Sequence, residues 1–260
     1  MAHAAESTHW YDRKGNPAYE VESKKGGMRA TTLRDARILD LVPSVTGIIN
    51  LADKPGLNNW KIDQGILAAL TLPRREDEPE SDWLKRVKQD AREQAFKAAE
   101  RGTAIHAAIQ GTYEGKYPAS DYSPHVKGAR LAVDDKFPMR EWFAERSFCH
   151  HLGFGGKTDL VAGSVEGESE PDYIVLDFKS KEFSPEDKLA TWDEHHMQLA
   201  AYIQGMYFPF EKTRAAICYV SVTHPGLSVI VEVSRDDLER GWESFCALLA
   251  FWKSKNRYTP

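Results

Sequence analysis

Residues 155–179 read GGKTDLVAGSVEGESEPDYIVLDFK. The pattern predicts a short strand over 157–162 that carries Asp159, a polar turn over 163–171, and a second strand over 172–179 ending in Asp177-Phe178-Lys179. Side chains alternate along a strand, so Asp177 and Lys179 leave one face of the sheet and Phe178 enters the opposite layer. Two carboxylates on paired strands, with an ammonium two residues beyond, suit a hard divalent cation. Magnesium or manganese takes oxygen ligands and retains waters, so Asp159, Asp177 and the carbonyl of Phe178 would suffice. Lys179 can then orient a water or stabilise negative charge in a transition state. A bare D-x-K is ordinarily a surface pair. Here it ends an apolar run, Tyr173-Ile174-Val175-Leu176, and the preceding strand brings its own aspartate after two glycines.

Downstream, residues 186–208 are expected to form a helix with Leu189, Trp192, His196, Leu199, Ala200, Ile203 and Met206 near one side. Gln198 and Tyr202 are spaced i, i+4 on it and share a face. An amide and a phenol there can contact phosphate or sugar oxygens or hold the lysine; alone, the pair would be a solvated flank. Upstream, the strand expected over 141–150 (EWFAERSFCH) includes Glu145, an acid that is exposed in most strands but, turned inward, can support the other carboxylates. His106 lies in RGTAIH, within a helix expected over 104–113 and capped by Thr103 after a break at Gly102. A lone helical histidine is ordinarily structural. The His195-His196 pair diverges by about 100° on a helix and does not make a zinc motif of the HExxH type; it reads as structural or close to nucleic acid.

The N-terminal part reads as a small hairpin over 9–21 turning at Lys14-Gly15-Asn16-Pro17, a loop over 22–30, and a helix capped by Thr31 running to Leu39. A helix start follows at Pro43-Ser44-Val45-Thr46. A further helix over 57–72 has Trp60, Ile62, Ile66, Leu67 and Leu70 as one expected buried stripe. The acidic stretch 74–82 is a loop, and a helix over 83–101 follows, capped by Ser81 or Asp82 and rich in interleaved charges. Among these, Lys85, Arg86, Lys88 and Arg92 are candidates for phosphate contacts, although such patterns usually mark a solvated face. Trp10, Tyr11 and Trp60 are candidates to stack on unpaired bases, with core packing the ordinary role of Trp60. A helix over 126–137, strands over 213–222 and 227–233, and a Ser234-capped amphipathic helix over 235–254 complete the chain.

The chain has 260 residues, 42% hydrophobic and 28% charged, enough for one large core. Its net charge of −5 gives no global electrostatic footprint for nucleic acid, although a local basic stripe can still grip phosphates. The residues at the start lack a basic-then-apolar leader, no apolar run matches a membrane span, and the three scattered cysteines argue against structural disulfides; a cytoplasmic location is the expectation. There is no G-x-x-x-x-G-K-[ST] loop, no G-x-S-x-G elbow and no dinucleotide fingerprint, so no nucleotide cofactor is expected.

Taken together, RGTAIH, the strand glutamate, GGKTD, IVLDFK and QLAAY resemble the PD-(D/E)xK nuclease superfamily, most closely its RecB-like exonuclease branch. The stretch PSVTGIINLADKPGLNNWK is similar to the N-terminal region of phage-type members. The match covers about residues 101–202. The resemblance implies an α/β fold with a restriction-endonuclease-like core, a mixed central sheet flanked by helices and a helical N-terminal region. Residues 1–94 would pack on a core of 95–260 as one unit. It also implies that His106, Asp159, Asp177 and Phe178 hold one or two Mg²⁺ or Mn²⁺ ions, and that Lys179 activates water. Gln198 and Tyr202 would hold substrate and lysine, and Glu145 would stand behind the ligands. The implied activity is DNA exonuclease, in phage or bacterial recombination, repair or replication, with DNA ends and a single-strand-annealing or recombination protein as partners. Some relatives carry four cysteines for an iron–sulfur cluster; with three, none clustered, no cluster is expected. A decayed, non-catalytic DNA-binding member would have lost an acid or the lysine, and this chain keeps them. An endonuclease or an RNA-directed nuclease would use the same residues.

Overall fold

A computed structural model describes residues 9–117, 120–163 and 172–260. Residues 164–171 of the expected polar turn lie outside the described residues. Five strands form one mixed sheet in chain order: β5 (Trp142–His150), β6 (Phe154–Ala162), β7 (Tyr173–Lys181), β8 (Thr213–Ser221) and β9 (Ser228–Val233). All neighbours are antiparallel except β7 and β8. A parallel pair needs a crossover, and helix α6 (Asp193–Gly205) supplies it.

Both faces of the sheet are covered. Leu160, Ile174, Leu176, Phe178, Ala216 and Cys218 face helices α4 (Glu80–Tyr113) and α5 (Ser123–Lys136). On the other face, Val161, Val175, Ala215, Ile217 and Tyr219 share a core with α6 and α7 (Arg235–Asn256). Double coverage explains why 173–176 is a continuous apolar run rather than an alternating one. The expected class, a mixed α/β fold with a central sheet flanked by helices, is the one observed. No helix among the described residues is long and apolar enough to cross a membrane.

The N-terminal segments join this core. β1 (Trp10–Tyr11) pairs with β4 (Val42–Pro43), and β2 (Glu20–Glu22) with β3 (Met28–Ala30). The expected turn at Gly15 is present, but the regular hairpin sits later, with its second arm where a loop was expected. α1 (Leu33–Leu39) begins at Thr32, one residue past the expected cap, in a reciprocal capping box with Asp35. α2 (Val45–Ile49) is capped by Ser44. Trp10 and Tyr11 are buried, which removes them as base-stacking surfaces: Trp10 meets Trp252 edge-on at 6.0 Å, and the Tyr11 hydroxyl bonds that of Tyr19 at 2.7 Å. The Tyr258 hydroxyl donates to the carbonyls of Ala36 (3.0 Å) and Leu41 (2.7 Å), tying the end of α7 to α1.

Three expected elements take another form. First, α4 is one 34-residue helix starting at Glu80 after Pro79, with no break at Gly102. A Cβ on Gly102 would lie 2.7 Å from Ser180 Oγ, so the glycine is where the helix passes close to β7. Burial of Ile105 and Ile109 there offsets glycine's propensity cost of about 1 kcal/mol. Second, α3 (Pro55–Thr71) exists, but its stripe is not buried: Ile62, Ile66, Leu67 and Leu70 are 53–75% exposed, and Ala68 faces inward instead. Third, α6 starts at Asp193 rather than 186. Residues 182–192 are held in an irregular path by side chains of β8: Ser221 Oγ donates to the Phe183 carbonyl (2.6 Å) and Tyr219 to that of Ala190 (2.8 Å).

Candidate functional site

The ladder between β6 and β7 runs from Ala162↔Ile174 to Leu160↔Leu176 and goes no further. The strands part at Asp159 and Asp177. The backbone donor freed by the parting is not orphaned: the Phe178 amide donates to Asp159 Oδ2 at 2.7 Å. On the other side of β6, Glu145 sits between the pairs Ala144↔Leu160 and Arg146↔Thr158 in a left-handed conformation, φ 54°. That backbone is rare for a residue with a Cβ, and such departures gather at functional sites. The Glu145 carboxylate ion-pairs with Lys157.

His106 comes from α4, one turn past the close approach at Gly102, and places Nε2 2.9 Å from Asp159 Oδ2. Its ring meets Phe178 edge-on at 6.2 Å. Lys179 and Asp177 leave β7 on one face as the period requires, and Lys179 Nζ lies 2.7 Å from Asp177 Oδ2. Gln198 links these groups. Its Oε1 accepts from Lys179 Nζ (3.1 Å), and its Nε2 donates to Asp177 Oδ1 (2.9 Å) and to the Tyr202 hydroxyl (2.9 Å). With both amide protons and the carbonyl engaged, the side chain has one orientation, and the i, i+4 spacing puts Tyr202 where it can lock it.

The electrostatics follow from burial. Asp177 is 1% exposed, and removal from water pushes its carboxyl up to about 6. Lys179 opposes that rise, and the charge on Asp159 adds to it. Burial also pushes Asp159 up, but the His106 charge and hydrogen bond, Lys179 and the Phe178 amide outweigh it, so Asp159 ends below the ordinary range. Conversely His106 is raised, its partner Asp159 overcoming its own burial. One carboxyl is thus held ionised while the other sits near its protonation point.

Among the described residues no three His, Cys, Asp or Glu side chains already converge as a metal cage. The donor chemistry nevertheless fits a hard divalent cation. The two carboxylates come from adjacent strands, and Asp177 Oδ2, buried, has the Lys179 ammonium at 2.7 Å as its partner. A cation would add its charge to that of Lys179 in answering the burial that lifts Asp177.

The basic residues of α4 stand outside this hydrogen-bonded set. Lys85 pairs with Asp82 (2.8 Å), and Arg86 grips Glu78 through two bonds (2.8 and 3.1 Å) and the Pro73 carbonyl, which fixes the loop before α4. Arg86 is therefore a structural tie. Lys88 and Arg92 are exposed, and Arg92 lines a groove of about 320 Å³ with half-buried Trp60, Lys61, Gln64, Ala91 and Ala95. Each histidine of the adjacent pair is used locally. His196 Nε2 meets Thr191 Oγ1 at 2.8 Å, and His195 Nδ1 accepts from the Trp192 amide at 3.2 Å. Burial, with nearby lysines, pushes His195 down to about 3, so it is neutral. The sequence reading passed over Lys157, Tyr219 and Lys181. Only Lys181 carries a readable signal, since period two places it on the face of Asp177 and Lys179.

No protein-family model matches the chain, and no curated protein matches it. Eighteen chains of solved structures do. One is the structure named SSO0001, 13% identical over 74% of this chain and 86% of that one, with a TM-score of 0.30. Another is an alkaline exonuclease, LHK-Exo, from Laribacter hongkongensis, 12% identical over 59% of this chain and 80% of that one, with a TM-score of 0.32. Likenesses this distant assign no activity, and the reading of the site rests on its geometry.

Proposed function

We propose that the protein is a divalent-metal-dependent nuclease that hydrolyses phosphodiester bonds of DNA from an end. The observation that carries this reading is the convergence of His106, Asp159, Asp177, Lys179, Gln198 and Tyr202, from four separate elements, on the parting of β6 and β7. These are the positions that resemble the PD-(D/E)xK nuclease motifs, and the mixed sheet flanked by helices is compatible with that superfamily. His106, Asp159, Asp177 and the Phe178 carbonyl would hold Mg²⁺ or Mn²⁺. The ion, when bound, polarises the phosphate and lowers the pKa of water.

The chain's own groups do the positioning. Gln198 holds the Lys179 ammonium against Asp177, so that it can orient the attacking water and meet charge developing on the phosphate oxygens. Tyr202 fixes Gln198. Glu145 and Lys157 hold the far side of β6. A role in phage or bacterial recombination, repair or replication, beside a strand-annealing or recombination protein, belongs to the same proposal.

The test is digestion of end-labelled linear single- and double-stranded DNA beside a covalently closed circle, in Mg²⁺, Mn²⁺ or EDTA. Linear DNA is degraded with either metal, EDTA stops the reaction, and the circle survives. A cut circle makes the protein an endonuclease, and degradation of RNA alone makes it an RNA nuclease. No cleavage under either metal makes it a non-catalytic binding protein.

A further inference from the structure

The irregular segment 182–192 between β7 and α6 is tied down along its length. Phe183 is buried, and its carbonyl accepts from Ser221 Oγ at 2.6 Å and Thr223 Oγ1 at 3.2 Å. The Ser184 amide donates to Asp187 Oδ2 (2.7 Å), and the Ala190 carbonyl accepts from Tyr219 (2.8 Å). This anchoring presents Trp192 at the head of α6 with 57% of its surface exposed. An indole held on a rigid support and left in water is a surface waiting for a flat partner.

Cations stand close by. Lys181 Nζ lies 5.6 Å from the Tyr219 ring centroid, and the Tyr219 hydroxyl is 3.3 Å from His195 Nδ1, the atom that binds the Trp192 amide. Lys54, with Nζ 2.6 Å from Asn50 Oδ1, is near enough to His195 for its charge to be felt there, as are Lys179 and Lys181. Asp187, which feels the Lys181 charge, is occupied by the Ser184 amide. Lys181 is two residues past Lys179 on one strand, and Trp192 is six residues before Gln198, so the elements that carry this cluster are the ones that carry the site.

We propose that Trp192, Lys181 and Lys54 form a subsite for one unpaired nucleotide next to the bond that is cleaved, its base on Trp192 and its phosphate at the two ammonium groups. The assignment rests on the nuclease reading above and deepens it by naming the substrate as single-stranded. A stacking face accepts any base, because every base has a π-face, and two point charges accept phosphate without reading sequence. A base inside a duplex has both faces covered and cannot use the indole.

The test measures binding apart from turnover. Fluorescence anisotropy of a labelled oligothymidylate is read in EDTA for the intact chain and for Trp192→Ala, Trp192→Phe and Lys181→Ala, and kcat and KM are then measured with Mg²⁺. Trp192→Ala weakens binding about tenfold, and Trp192→Phe restores most of the loss. Lys181→Ala lowers the slope of log Kd against log salt by about 0.7. In turnover, the alanine variants raise KM and leave kcat within about twofold. Binding by both alanine variants within twofold of the wild type overturns the subsite, and if the wild type still cleaves, the nuclease reading stands without it. Variant effects on binding with no cleavage under any metal keep the subsite and remove the hydrolase. A wild type that binds no strand in EDTA overturns the subsite, and only one that also cleaves none with metal removes both.

Discussion

At the parting of β6 and β7, nearly every polar atom has a partner and every aliphatic neighbour is buried. Asp159 takes the Phe178 amide and His106, Asp177 takes Gln198 and Lys179, and Leu160 and Leu176 are completely covered. The α3 helix is also rich in aliphatic residues, yet it leaves Ile62, Ile66, Leu67 and Leu70 in water, with Ala68 its buried residue and Trp60 half-buried beside α4. The contrast teaches that periodicity says which residues share a face and not whether a second layer exists to cover them. At the site, layers on both sides let charged groups be buried, and burial perturbs them. In the arm, with one neighbour, charges stay paired at the surface and do little.

The largest effect expected is at the site. Asp177→Asn lowers the single-turnover cleavage rate by about 10²–10³-fold or more, while the melting temperature stays near that of the wild type. Burial already favours the neutral carboxyl, and Lys179, about one-third exposed, keeps water when its partner is lost. Unfolding of this variant at ordinary temperature would mean that the pair is structural. Next comes the covered side of the sheet. Phe154 is fully buried among Phe148, Trp242 and Phe245, and Phe154→Ala costs about 3–5 kcal/mol in urea denaturation.

A smaller effect is written in pH. His150 is 3% exposed, and burial, with His151 adding, pushes it down to about 4. The unfolded chain takes up that proton near 6.5, whereas the folded one refuses it until about pH 4. This contribution is therefore absent above the unfolded value and destabilises progressively as pH falls, by about 2 kcal/mol at pH 5. The raised Asp177 works in the opposite sense, so the check is a difference: urea midpoints at pH 7.5 and 5.0 for the wild type and His150→Phe. Equal pH dependence of the two would sink it. The smallest effect belongs to the arm, where Leu70→Ala changes stability by no more than about 0.5 kcal/mol. A loss above 2 kcal/mol would show that the exposed stripe is covered in solution.

Much of the sheet and site was legible because the signals were local. The 173–176 run, the Ser234 cap and the i, i+4 pair of Gln198 and Tyr202 each report on a few neighbouring residues, and each has its expected form. What was misread depended on distant parts of the chain. Gly102 looks like a helix break until β7 is set against it, and 186–192 looks helical until side chains of β8 bind its carbonyls. Trp10 looks like free aromatic surface until Trp252 of α7 is set against it, and Tyr11 until Tyr19 and the close backbone of Gly155 are. Glu145 gave no sign of its left-handed backbone, since that conformation belongs to the interrupted ladder and not to the residue.

The contacts of Trp10 with Trp252 and of Tyr258 with Ala36 and Leu41 join residues more than two hundred positions apart. During synthesis, therefore, β1 and α2 can dock on β6 and α6 as these are made, but their packing is complete only when α7 has followed. Such non-local closure is slow, because a long loop must be ordered before any contact rewards it. Trp10, Ile48 and Ile49, buried in the finished molecule, lack part of their cover until then. The nascent chain therefore has to be shielded from aggregation until α7 is complete.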